Sequence, residues 1–139
     1  MERISSAAAV ALGFFVVNTA ASLPAAAASC DISHAPAVPV VKNLPYKEAR
    51  AAILDGGWTP VKGSPHNDLS DNEITFRDRG YAELQFCRLS DDGLCRFAFA
   101  SSGGFVLWVT TVGDENPPLD TQAKVKSARI ACKGDADPG

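Results

Sequence analysis

A chain of 139 residues, 46% hydrophobic and 21% charged, has the length of one modest domain and too much apolar side chain to stay disordered. Its 11 glycines and 9 prolines follow no collagen-like period. Thirteen basic against sixteen acidic side chains leave a formal charge of -3, the wrong sign for a protein that grips nucleic acid by its phosphates.

The first segment has the anatomy of a secretory leader. Met1-Glu2-Arg3 supplies one cationic side chain and the free amine, residues 7–17 form an uncharged apolar run, and Ala25 to Ala28 are small enough for a signal peptidase. The run is shorter than the roughly 20 apolar residues that a helix needs to cross about 30 Å of hydrocarbon. A signal peptide over residues 1–28 is therefore expected, with a periplasmic or secreted product and no transmembrane helix in the mature chain. Glu2 and Arg3 leave together, so the charge does not change.

Residues 29–43 read as an extended N-terminal arm, because Pro36 and Pro39 each disfavour helix at the residue before them. A domain over residues 44–133 follows, opening with a helix from Pro45. Proline suits the first turn, Glu48 complements the N-terminal dipole, and Gly56-Gly57 end the run. Tyr46, Ala49, Ile53 and Leu54 recur at helical spacing and form its apolar face. Trp58 to Val61 reads as a brief edge strand, and residues 62–72 as a polar surface loop. Ile74 to Arg77 fits either a strand or a helical turn. Strands at about residues 81–89, 94–100 and 105–112, broken by Asp91-Asp92-Gly93 and Ser101-Ser102-Gly103-Gly104, predict an antiparallel meander. After a loop over residues 113–121, a last strand at about residues 124–132 closes the sheet, leaving residues 134–139 as a flexible tail. The expected class is α+β, one helix on a roughly four-stranded antiparallel sheet with one face buried and the other wet. One conflict stands inside that scheme: a face shared by Cys87 and Cys95 also collects Gln85 and Glu83 opposite Phe97 and Phe99, which a bulge near the turn would repair.

The four cysteines enter an oxidising compartment, where an even number reads as two disulfides rather than a metal site. The short spacing of Cys87 and Cys95 suggests a stapled hairpin, leaving Cys30 to tie the new N-terminus to Cys132. A second reading makes Cys30 the lipidated first residue of a lipoprotein, after the small residues Ala28 and Ser29, and leaves Cys132 unpaired.

Catalytic chemistry finds little to work with. Nucleophilic hydrolysis needs a base, and the histidines, His34 and His66, both fall in expected loops with no G-x-S-x-G elbow in the chain. The acidic run Asp68-Leu-Ser-Asp-Asn-Glu73 lacks the glycine and terminal glutamate of an EF-hand and reads as a solvated loop. No zinc-ligand spacing and no phosphate-cradling glycine loop are present, so neither metal nor cofactor is expected. Surface recognition remains. Tyr46 and Arg50 stand one turn apart on the helix, and Trp58 and Trp108 are side chains of the kind that anchor interfaces; Tyr46, Arg50 and Trp58 form the candidate binding surface. Lys124, Lys126 and Arg129 read as the wet edge or face of the last strand.

Val38-Pro-Val-Val, followed by a helix with Glu48-Ala49 and then Gly57 before Trp58-Thr-Pro-Val61, resembles the opening of a PASTA domain. That resemblance implies an extracytoplasmic module associated with muropeptide sensing. It ends at Val61, since the cysteine-stapled meander is foreign to PASTA repeats. The layout Ala49-Arg50-x-x-Ile53-x-x-x-Gly57-Trp58, Tyr81-x-Glu83 and Cys87-x7-Cys95-x-Phe97 is also similar to small exported bacterial proteins of unknown function. The expectation is an exported, non-enzymatic binding module for a protein or cell-envelope component, with a peptidoglycan-binding PASTA-like module or a membrane-tethered envelope lipoprotein as the alternatives.

Overall fold

The computed structural model describes residues 30–89, 92–117 and 122–135; the expected leader, Asp91 of the hairpin turn and the end of the tail lie outside the described residues. A 3-10 turn, Ile32–His34, precedes helix α1, Tyr46–Asp55, and the short strand β1, Thr59–Pro60. Helix α2, Asp71–Asp78, leads into β2, Leu84–Cys87, which is followed by β3, Cys95–Ala100, β4, Phe105–Val112, and β5, Lys124–Cys132. The fold is α+β, with five antiparallel strands and two α-helices among the described residues.

The second helix takes Asp71 and Asn72 from the expected surface loop, which otherwise holds over residues 62–70, and decides Ile74 to Arg77 as helical. Ser70 caps it, its hydroxyl accepting from the Glu73 backbone N–H at 3.2 Å, and Asp71 and Glu73 complement the first turn. The run that reads as solvated is exposed at Asp68, Leu69 and Asp71, but its last two residues, Asn72 and Glu73, are buried. The Ser-x-x-Glu spacing that marks a helix start is present in the sequence.

β3, β4 and β5 form a continuous meander, with β1 and β2 sharing the far edge of β3. β1 pairs with Phe99 and Ala100, while β2 pairs further along, setting Cys87 opposite Cys95. The register shifts between Leu84 and Phe86. This bulge removes the conflict in the alternation, because Leu84 then faces inward beside Phe97 while Phe86 pairs with Arg96.

Both helices lie on one face, called inner here. Tyr46 stacks on Phe97 with ring centroids 3.8 Å apart, and Phe76 meets the same ring edge-on at 5.0 Å. Ile53, Trp58, Leu84, Leu107, Val109 and Val125 complete the core around them. The arm belongs to this layer more than its extended sequence implies. Val41 is buried, and Asn43 and Leu44 exchange backbone hydrogen bonds with Val125, continuing the sheet beyond β5. Disulfides Cys30–Cys132 and Cys87–Cys95 fasten the arm to β5 and the β2–β3 hairpin across its turn. By chain entropy the longer loop contributes about 4.7 kcal/mol and the shorter about 2.5. No helix among the described residues is long and apolar enough to cross a membrane.

Candidate functional site

Three buried glutamates line the side of the molecule occupied by the helices, and each meets an arginine. Glu83, fully buried, accepts from the Tyr46 hydroxyl at 2.8 Å and from Arg50 Nε at 2.5 Å. Arg50 also lies over the Tyr81 ring at 4.9 Å. Its hydrogen bond to Glu83 holds the guanidinium above its ordinary pKa, and burial, followed by repulsion from Glu83, raises the Tyr46 phenol. Glu73 pairs with Arg77 at 2.6 Å, reaches His66 Nε2 at 3.1 Å and accepts from the Cys87 backbone N–H at 3.1 Å. Glu115 pairs with Arg79 and accepts from the Ala123 backbone N–H at 2.8 Å, while its own N–H donates to Asn72.

These contacts join elements distant in sequence: α1 to the start of β2, α2 to the hairpin staple, and the loop after β4 to both α2 and the start of β5. Buried carboxylates with their lone pairs engaged by backbone N–H and arginine are fully satisfied groups, which fix one packing of the elements around them. Arg50, Tyr81 and Glu83 form one cluster beneath α1. A cleft of about 430 Å³ opens beside it, lined by Tyr46, Lys47, Arg79, Tyr81 and Glu115. Its arginine and carboxylate are already paired with each other.

The expected binding surface does not assemble. Trp58 is 2% and Tyr46 1% exposed, both within the core. The Trp58 indole N–H donates to the Ala37 carbonyl at 3.4 Å, and the Tyr46 hydroxyl is held by Glu83. Arg50 alone of the three keeps a partly exposed side chain. The reason is packing: a tyrosine and a tryptophan in so small a domain are the largest apolar bodies available to fill the layer between helix and sheet.

The histidines stand apart from one another. His66 hydrogen-bonds to Glu73, and among the described residues no hydroxyl or thiol joins that pair. His34 touches both Ser33 and Asp31, but through the same ring nitrogen, Nδ1, and in full solvent. A proton relay needs the two partners on opposite nitrogens. The Ser33 hydroxyl and then its backbone N–H hold the Asp31 carboxyl below its ordinary pKa, as in an ordinary helix-start cap. Among the described residues no group of three His, Cys, Asp or Glu side chains is placed to hold a metal ion.

The outer face of the sheet differs in kind. Register places Phe86, Arg96, Thr110 and Ser127 in one row across four strands, and Ala98, Trp108 and Arg129 in the next. Ala100, Val106 and Ala131 follow. Trp108 is thus directly opposite Arg129 and diagonal to Arg96, with small residues on most of the remaining positions. Both α1 and α2 pack on the inner face, yet two positions of the outer face are buried: Ala98 is 1% and Arg96 8% exposed. The Trp108 indole N–H is buried without a hydrogen-bond partner among the described residues. Burial, and then repulsion from Arg88 and Arg129, lowers the Arg96 guanidinium below its ordinary pKa.

No family model, curated protein or solved structure matches the chain.

Proposed function

We propose that the protein is an exported, non-catalytic binding module that recognises a protein or cell-envelope component through the outer face of its sheet. The observation that carries this reading is Trp108 set between Arg96 and Arg129 on a sheet face over which neither helix packs. Tryptophan and arginine are the side chains that concentrate binding energy at protein surfaces, especially near the centre of a patch ringed by other side chains. The two disulfides support an extracytoplasmic site of action, where such bonds persist. Engagement of Cys30 with Cys132 uses the sulfur that a lipid anchor would need, which favours a secreted or periplasmic product over a tethered one.

The test is capture from envelope extract and co-sedimentation with purified peptidoglycan, comparing the wild type with Trp108→Ala and Arg129→Glu. Specific retention that either substitution removes is the expected result. Retention by the wild type no better than that of an unrelated acidic protein ends the proposal. The compartment is checked by intact mass after expression with the native leader. A species lacking residues 1–28, with no free thiol until reduction, is expected, and an acylated species beginning at Cys30 would return the lipoprotein alternative.

A further inference from the structure

The two edges of the sheet are finished differently. On one side β1 is two residues long and contains Pro60, and β2 is four residues long with a register shift inside it. Short strands, proline and bulges are the ordinary means of closing an edge to further pairing. On the other side β5 runs for nine residues without a proline.

Register decides which peptide groups that second edge leaves open. Ala98 donates to the Glu83 carbonyl and accepts from the Val61 N–H, so it turns away from β4, and Trp108 opposite it turns toward Arg129 of β5. Ala128 and Ile130, on either side of Arg129, therefore direct their N–H and C=O groups away from β4. Among the described residues these groups have no hydrogen-bond partner.

The arm passes this edge without pairing along it. Cys30 fastens it to Cys132, Asn43 and Leu44 fasten it to Val125, and between them the Ala37 carbonyl is drawn to the Trp58 indole in the core. Pro36 and Pro39 have no N–H to give to a ladder. Between arm and strand lies a groove of about 330 Å³, lined in part by Val38, Val40, Lys42, Lys126 and Ala128. Val40 is 92% exposed. Lys42, Lys124 and Lys126 are exposed as well, and none of them has an ion pair among the described residues. Arg129 also borders the groove but already interacts within the chain, so the lysines are the cations left to a partner.

We propose that the open edge of β5 accepts an extended segment of a partner protein as a further strand, one in which acidic residues alternate with apolar ones. In strand addition the main chain supplies affinity and the sites for alternate side chains supply specificity. The peptide groups of Ala128 and Ile130 supply the first. Val38 and Val40 of the arm meet the apolar side chains on one face of the added strand, and Lys124 and Lys126 meet carboxylates on the other. A second copy of the chain suits the edge poorly, because two β5 strands laid together collect Lys124, Lys126 and Arg129 from each with no carboxylate on either. This site is separate from the Trp108 face and goes beyond the reading built on it.

The experiment is a titration of the purified, isotope-labelled protein with a capped peptide of alternating glutamate and valine, about six residues long like an ordinary strand. Backbone shifts and amide hydrogen exchange are followed by nuclear magnetic resonance. Beside it run a lysine–valine peptide and two glutamate–valine peptides methylated on alternate nitrogens, one in each register. The Ala128 and Ile130 amides are expected to shift and to exchange at least about tenfold more slowly when the peptide is bound. Methylation in the register that faces β5 weakens binding by about tenfold or more, while the other register is tolerated. Lys126 is exposed, so Lys126→Glu leaves the core in place, and it weakens the glutamate peptide by about tenfold. Binding indifferent to methylation in both registers is charge attraction without strand pairing and overturns the proposal. So do shifts centred on Trp108, a tenfold loss of affinity in Trp108→Ala, equal affinity for the lysine peptide, or no binding. A dimer in light scattering that the peptide fails to dissociate gives the edge to a second copy and overturns it too.

Discussion

On its inner face the sheet meets α1 and α2 through Phe97, Leu107 and Val109, and its polar neighbours Glu73, Glu83 and Glu115 are each paired with an arginine. On the outer face the alternate residues of the same strands present Arg96, Trp108 and Arg129, where positive side chains neighbour one another. The difference separates two uses of charge. Inside, carboxylate and guanidinium neutralise each other and hold elements in register. Outside, guanidinium groups flank an aromatic ring on one face, Arg96 buried and Arg129 exposed.

The comparison breaks most readily at the connections of the inner layer. Replacing Cys30 and Cys132 together by serine is expected to lower stability by about 4.7 kcal/mol, measured by urea unfolding, because the arm then closes no loop in the unfolded chain. Glu83→Leu should follow at about 3 kcal/mol, since it strands the Tyr46 hydroxyl and leaves Arg50 with only its partial access to water. Tyr46→Phe removes one hydrogen bond to a buried carboxylate and is expected to cost about 2 kcal/mol.

The last substitution also carries a pH signature. The phenol of Tyr46 is raised in the folded protein, so the neutral form is the one the fold accommodates. Its contribution is whole below the ordinary tyrosine value of about 10, and is lost as pH rises above that value toward the raised folded one. Alkaline unfolding of the wild type should therefore steepen above about pH 10, and Tyr46→Phe should flatten that part of the profile. Against these, Arg129→Glu on the outer face should change stability least, by no more than about 0.5 kcal/mol, while removing the retention expected of the proposed binding face. A loss of several kcal/mol there would place the outer arginines among the structural charges and erase the contrast.

Much of the fold was legible along the chain. The α1 boundaries follow from Pro45, Glu48 and Gly57, the last of which takes φ 85° as the chain leaves the helix. The meander, a bulge near the turn and the Cys87–Cys95 staple follow from turn chemistry and spacing, whereas the Cys30–Cys132 bond, one of two readings of Cys30, is decided by the structure. Helix α2 had a local signal in Ser70-x-x-Glu73, but its weak apolar periodicity hid it: the buried face contains Asn72 and Glu73 beside Phe76. Those polar residues are satisfied by the Gly93 and Gly113 carbonyls, the Cys87 backbone N–H and Arg77, partners contributed mostly by distant parts of the chain. Gly63 is a similar case. It reads as one more loop glycine, yet a Cβ there would lie 1.9 Å from the Leu84 carbonyl oxygen, so the crossing of two segments requires it.

The candidate site was less legible, and the two tryptophans show why. Trp58 and Trp108 are equally fit by chemistry to anchor an interface, but one lies in the core and the other on the outer face. Alternation in β3 separates Arg96 from Phe97 and Phe99 plainly, whereas Phe105-Val-Leu-Trp-Val in β4 is apolar at every position and assigns Trp108 to neither side. Local sequence determined the class of fold and the Cys87–Cys95 staple, because caps, turns and spacing act over a few residues. Only the tertiary structure decided which aromatics were consumed by the core, which carboxylates found arginines, and which cations gathered around Trp108, because those outcomes depend on strand register and on which face the helices cover.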